Sequence, residues 1–220
     1  MMPDTQTPVP DQGLGQDQGL GQVNGPAAAA GSPALAALLA RASVPSRTLL
    51  APAPGPEVID VAVAAALRAP DHGGLRPWRF VAVEGTDRAR LGALLAESLA
   101  RREPGAAAER LEIEQAKPLR APLVMAAGAK LAHGHKIPVW EQEASAAAGI
   151  MNFLNAIDMQ GFGAMWVSGP ALRDPVVKAA LGFAAEDALL GWVYVGTVPA
   201  VRPVPARPEP AGFWRTWSPD

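Results

Sequence analysis

From Pro33 onward the apolar positions alternate between blocks of helical and of extended spacing. Leu35, Leu38 and Leu39 recur at helical intervals behind Ser32 and Pro33, a cap followed by a favoured first helical residue. That helix is expected to close on Arg41-Ala42-Ser43, ahead of Val44 and Pro45. After the turn-rich stretch Ala51–Pro56, the span from Glu57 to Arg68 sets Val58, Ile59, Val61, Ala62, Ala65 and Ala66 on one broad face, which predicts a second helix. Arg79–Glu84 predicts a strand. Thr86 to about Arg102 predicts a capped helix with Leu91, Leu94, Leu95 and Leu99 on one side, and a polar helix follows from about Ala106 to Ala116. These two helices are expected to form a solvent-facing layer.

The second half repeats the alternation. The nearly continuous apolar run within Ala121–Leu131 reads as a central strand. Pro138 opens a long helix to about Gln160, with Gly161 as its terminator. From Ala144 this helix is apolar nearly all round, through Ile150, Met151, Phe153, Leu154 and Ile157, and so needs cover on several sides. Either a partner subunit covers it or it is the central helix of a monomer. Gly161–Gly169 is expected to be a loop leading into a short extended segment. Asp174-Pro175 opens a short helix through Leu181, and Ala188–Thr197 is the clearest strand, rich in β-branched and aromatic residues.

Composition narrows the class. A chain of 220 residues suffices for one domain with a real core. A net charge of −2 makes no electrostatic case for nucleic acid or an anionic membrane surface. The absence of Cys excludes disulfides, thiolate metal sites and a Cys nucleophile, and is compatible with a reducing cytoplasm. Residues 1–32 carry the hexad DQGLGQ twice and almost no large apolar groups, so a disordered N-terminal tail is expected, with no signal peptide, followed by one domain over 33–220. The Pro-rich C-terminal stretch from Val198 carries Phe213, Trp214 and Trp217, aromatics of a kind that dock on something.

The chemistry concentrates in Leu67–Phe80, LRAPDHGGLRPWRF. Pro70 stops the helix, Asp71, Gly73 and Gly74 favour a loop, and the loop is rich in Arg and holds His72. It suits an anionic, planar ligand; the plain alternative is a surface connection with a buried Trp. Arg41 and Ser43 beyond a helix end suit a phosphate, or else complement the helix dipole and a turn. His133 and His135, with His72, offer a metal alternative, but three His and no Cys do not make a closed zinc site. GxGxxG, GxxxxGK[ST], GxSxG and HExxH are all missing.

Several motifs stand in order: Arg41-x-Ser43, RAPDH at 68–72, PWRF from Pro77, HKxPxWEQExSA from His135 to Ala146, QGFG at 160–163, WxSG at 166–169 and VGT from Val195. By these the chain from about Ala34 to Thr197 resembles the NAD(P)H-dependent nitroreductase family of FMN flavoproteins, in its compact bacterial branch. The resemblance implies an α+β fold, a mixed and mainly antiparallel sheet surrounded by helices, and an intertwined homodimer with two FMN sites at the interface. It implies that Arg41, Ala42 and Ser43 hold the phosphate and ribityl end, that Arg68 and His72 contact the cofactor, and that Trp166, Val167, Ser168 and Gly169 line the isoalloxazine. Ala156, Ile157, Asp158, Met159, Gln160 and Gly161 would lie near the nicotinamide. The implied activity is ping-pong transfer of hydride from NAD(P)H, through flavin N5, to a nitroaromatic, a quinone or a similar electrophile, with no acid–base residue or metal of the protein's own. Two positions depart from the pattern: Val167 and Ala42 stand where Arg is common. They leave open a flavin-binding protein with little turnover.

Overall fold

The computed structural model describes residues 31–200 and 206–219. The expectations for residues 1–30 therefore lie outside the described residues. Pro33–Ala40 forms helix α1, whose fourth residue donates its amide to the Ser32 carbonyl at 3.0 Å. None of its residues is buried.

The body begins at Ala40. Its helices are α2 (Pro56–Ala66), α3 (Asp87–Arg102), α4 (Ala108–Ala116), α5 (Val139–Met159) and α6 (Pro175–Ala180). Its strands are β1 (Trp78–Glu84), β2 (Leu123–Ala129), β3 (Phe162–Val167) and β4 (Ala188–Thr197). The sheet order is β1-β2-β4-β3, and every described pair is antiparallel. This is an α+β arrangement.

β2 explains its own composition. Leu123, Met125 and Ala127 face α2 and α5, while Val124 and Ala126 face α3 and α6. Helices cover both faces, so the whole strand is buried and reads as an apolar run rather than an alternation. On one side Phe153, Ile150 and Ile157 of α5 and Ala62 and Ala66 of α2 pack on Met125, Val193 and Val195. On the other, Leu91 and Leu95 of α3 and Val177 of α6 pack on Val124, Trp192 and Tyr194.

Four local expectations change. Gly161–Gly169 is no loop: its middle is β3, an edge strand whose residues 162–167 pair with Thr197 back to Trp192. Gly-rich sequence hid it, because Gly163 sits under Val44 and Leu49, where any Cβ would clash. Thr86 occupies the N-cap of α3 but makes no side-chain cap bond. The helix before the Leu67–Phe80 stretch stops at Ala66, so Arg68 lies in the turn beyond it. α5 is buried along one stripe, Gln142, Ser145, Ala146, Gly149, Ile150, Phe153, Leu154 and Ile157, rather than on several sides. Its opposite flank exposes Trp140, Met151 and Met159.

Asp174 joins the C-terminal end of α3 to the start of α6. Its carboxylate accepts from the Val176 amide at 2.9 Å, capping α6, and from Arg101 Nη2 at 2.8 Å. Burial alone pushes this acid up, but the hydrogen bonds from Arg101 and the Val176 amide carry it down to about 2. The carboxylate's contribution is therefore complete above about pH 4 and disappears as pH falls through about 2. Asp174→Asn should lower stability by about 2 kcal/mol at pH 6. Urea unfolding at pH 6 and pH 2.5 checks this: the gap between the two proteins narrows in acid, and a gap of constant size rejects the assignment.

Candidate functional site

The stretch 70–78 is held by one stripe of α5. His72 Nδ1 lies 2.7 Å from Glu141 Oε2. One turn on, Ser145 Oγ donates to the Pro70 carbonyl at 2.7 Å, and its own carbonyl accepts from Trp78 Nε1 at 2.9 Å. One further turn on, Gly149 leaves room for the Trp78 indole, which a Cβ would meet at 2.5 Å. Glu141, Ser145 and Gly149 stand four residues apart and so share a face. Inside the loop the Asp71 carboxylate accepts from the Leu75 and Arg76 amides. Gly73 takes φ of 77°, a conformation a side chain would strain. The loop is thereby rigid, with His72 exposed and oriented.

A second group forms along β3. The Val44 amide donates to the Ala164 carbonyl at 2.9 Å, which lays Arg41–Ser43 beside the free edge of the sheet. Peptide groups two residues apart in a strand point the same way, so the Trp166 N–H and carbonyl also face that edge. Arg41 is half-buried, Ala42 buried and Ser43 exposed. The Trp166 indole lies over Gly191 and donates to the Leu190 carbonyl at 3.3 Å. Gly169 is extended, and a Cβ there would meet nothing within 4 Å. This donor set fits a flat ring with a phosphate: a guanidinium and a hydroxyl at one end, open strand-edge amides beside an aromatic along the length.

Two cavities flank Ser168, Gly169 and Pro170. A partly open one of about 230 Å³ lies between the α3–α4 layer and the β3–β4 face. A wider groove of about 820 Å³ reaches His133, Glu143 and Arg173. Arg102 borders both. Burial raises the Tyr194 phenol above its ordinary value, with Arg120 pulling it back down, so the group is a neutral donor near pH 7.

The structure unites some predicted residues and separates others. Arg41–Ser43 and Trp166–Gly169 share the β3 edge. Arg68 and His72 line neither cavity beside Gly169. The turn Ala156–Gly161 lies at the opposite end of β3, about 20 Å along the strand from Ser168. There Gln160 commits its side-chain amide to the carbonyls of Val58 and Ala156. His133 and His135 have partners of their own, the Glu186 carbonyl and the Ile137 amide. Among the described residues no cluster of three or more His, Asp or Glu is arranged for a metal. Sequence reasoning did not single out Tyr194, Arg102 and Arg120, which line the smaller cavity: the phenol stands in an apolar strand and the two Arg read as solvated charges.

A free-edged antiparallel sheet wrapped by helices, with a cation and a hydroxyl in the turn beside that edge, defines an α+β class, and comparison with known proteins narrows it. The description "Nitroreductase family" matches residues 38–197. The chain is 38% identical over 151 residues to "Putative NAD(P)H nitroreductase YdjA" of Escherichia coli K12, covering 68% of this chain and 80% of that one. It is 33% identical over 153 residues to a Haemophilus influenzae protein of like description, covering 69% and 82%. Among solved structures, a nitroreductase-like protein from Bacillus cereus superposes with a TM-score of 0.70 at 20% identity, covering 84% of this chain and 96% of that one. A Bacteroides fragilis nitroreductase with bound FMN gives 0.65 at 19% identity, covering 85% and 100%. The chain belongs to the nitroreductase family. No helix among the described residues is long and apolar enough to cross a membrane.

Proposed function

We propose that the protein is an FMN-dependent oxidoreductase that passes hydride from NAD(P)H to a nitroaromatic, a quinone or a similar electrophile by a ping-pong sequence, working as a homodimer in the cytoplasm. The observation that carries this reading is the Val44–Ala164 hydrogen bond, which sets Arg41 and Ser43 along the open β3 edge beside Trp166. Family membership and an FMN-bearing fold relative support it. FMN, when bound, accepts hydride at N5 and returns two electrons to an acceptor.

The protein's part is binding and orientation. Arg41 and Ser43 hold the phosphate through charge-assisted bonds, with Ala42 as the buried spacer between them. Trp166 and Val167, whose side chains turn to opposite faces of β3, offer the ring their backbone edge, and the Ser168–Gly169 backbone approaches it where no side chain intervenes. Arg68 and His72 reach a cofactor from the other half-site. The Glu141 carboxylate beside Nδ1 directs the opposite nitrogen of His72 outward. Within one chain these half-sites stay apart, and the exposed flank of α5 is apolar, so two copies joined through that flank complete each site. The aromatics Phe213, Trp214 and Trp217, each exposed, fit an arm laid on the neighbour.

The deciding observation is a yellow purified protein that releases FMN on denaturation and is bleached by NAD(P)H. A colourless protein that stays so in excess FMN ends this reading. Val167, half-buried in the apolar layer, favours a second reading of flavin binding with little turnover. A bound flavin that NAD(P)H never bleaches would establish it. Arg41→Ala should weaken FMN binding about tenfold to a hundredfold, the value of one charge-assisted contact. Fluorescence-quenching titration of the flavin-free protein reads it, and a change under twofold removes Arg41 from the site.

A further inference from the structure

We propose that the preferred electron acceptor is a single-ring aromatic bearing a negative charge, held in the cavity between the α3–α4 layer and the β3–β4 face. The proposal rests on the flavin reading above for its electrons, and the cavity supplies the rest.

Size comes first. The cavity measures about 230 Å³, below the roughly 300–1,000 Å³ of pockets that take drug-sized ligands. One substituted ring fits it. Leu95, Met165 and Trp192 make the walls apolar and aromatic, suited to a flat body.

Charge and donors decide the second half of the specification. Arg102, Lys117 and Arg120 line the cavity against a single acid, Glu114. Glu114 is paired with Lys117. Arg102 and Arg120 make no ion pair among the described residues, so the cavity carries two uncommitted cations. Tyr194 is 4% exposed, yet its hydroxyl has no hydrogen-bond partner among the described residues. The hydroxyl opens onto the cavity rather than being sealed in the core, so it is a donor available to an anion held there. A carboxylate or phenolate oxygen satisfies Tyr194 and neutralises Arg120 together.

Position makes this an acceptor site. Ser168 and Gly169 line the same cavity, so a ring anchored by its charge at Tyr194 and Arg120 reaches toward the residues assigned to the isoalloxazine. For a nitro compound the balance is Ar–NO2 + NAD(P)H + H⁺ → Ar–NO + NAD(P)⁺ + H2O. The nicotinamide is oxidised, the nitro group loses one oxygen as water, and the anchoring carboxylate is unchanged.

The test compares 4-nitrobenzoate with 4-nitrobenzamide, which differ in charge and little in shape, on the flavin-loaded full chain. The expected result is a kcat/KM about tenfold or more higher for the acid, carried by KM. Arg120→Gln should cut that ratio about tenfold and Tyr194→Phe several-fold, whereas Arg90→Gln, on the outer face of α3, should leave it alone. Calorimetric titration with benzoate reads the cavity without turnover: benzoate should bind flavin-loaded protein, compete with 4-nitrobenzoate and weaken in Arg120→Gln. A protein that is bleached by NAD(P)H but treats acid and amide alike overturns this proposal alone. Benzoate binding confined to flavin-free protein also overturns it, since the cavity would then belong to the flavin cradle. A colourless protein that binds benzoate sinks the flavin reading and the acceptor role with it.

Discussion

Replacing Phe153 by Ala should lower the free energy of unfolding by about 3–5 kcal/mol, the range for removing a buried aromatic. Phe153, in the C-terminal half of α5, is fully buried. Its ring stacks on Phe80 with centroids 5.3 Å apart and planes 21° from parallel, which ties α5 to β1. The same side chain packs with Met125 and Val193 on the two central strands. No flexible neighbour stands ready to fill the void, because those strands are fixed by pairing on both sides. A loss of that size is a large part of the roughly 5–15 kcal/mol that holds an ordinary domain folded. Urea denaturation of the two proteins at equal concentration reads it. A difference under 1 kcal/mol would mean that α5 does not rest on the sheet as described.

Gly191→Ala is expected to do comparable damage and to reach the candidate site as well. A Cβ at Gly191 would stand 2.0 Å from Trp166 Nε1 and 2.8 Å from the Val167 carbonyl oxygen. The indole cannot simply swing away, since its N–H is bonded to the Leu190 carbonyl. β3 must therefore shift against β4, at a cost near the 3 kcal/mol upper end of overpacking. Trp166 and Val167 move with it, so flavin should be lost on purification even where the protein still folds. The bound-flavin ratio and the urea midpoint together check this. Gly169→Ala is the contrast: its backbone is extended and the added methyl meets nothing within 4 Å, so stability should change by less than about 0.5 kcal/mol. Equal stability losses at the two glycines would show that close packing over Gly191 is not what constrains it.

The element pattern was legible because most helices here are amphipathic and β4 is strongly β-branched. α3 shows this best: Leu91, Leu95 and Leu99 recur at helical spacing and all three are buried. β3 was illegible for a specific reason. Its Gly163 owes its identity to close approach by Val44 and Leu49, so it carries no β-propensity signal of its own. The candidate site was half legible. Arg41, Ser43, His72 and Trp166 stand in short ordered motifs, and motifs survive in one dimension. Tyr194 was concealed inside an apolar strand, where a phenol reads as one more core residue. Arg102 and Arg120 looked like solvated helix charges, as most such residues are.

The order of amino acids alone sufficed for the class of elements, for the helix-breaking loop at Pro70–Pro77, for the absence of thiol chemistry and for the motifs that mark the family. Those properties depend on local sterics, spacing and residue chemistry, which a chain carries before it folds. Three-dimensional packing was needed to set β3 at the sheet edge with Arg41–Ser43 beside it, and to tie His72 to α5 through Glu141. It was needed equally to gather Tyr194, Arg102 and Arg120 around one cavity. Each of these joins residues far apart along the chain, and which distant groups meet is decided by how both faces of the sheet are covered.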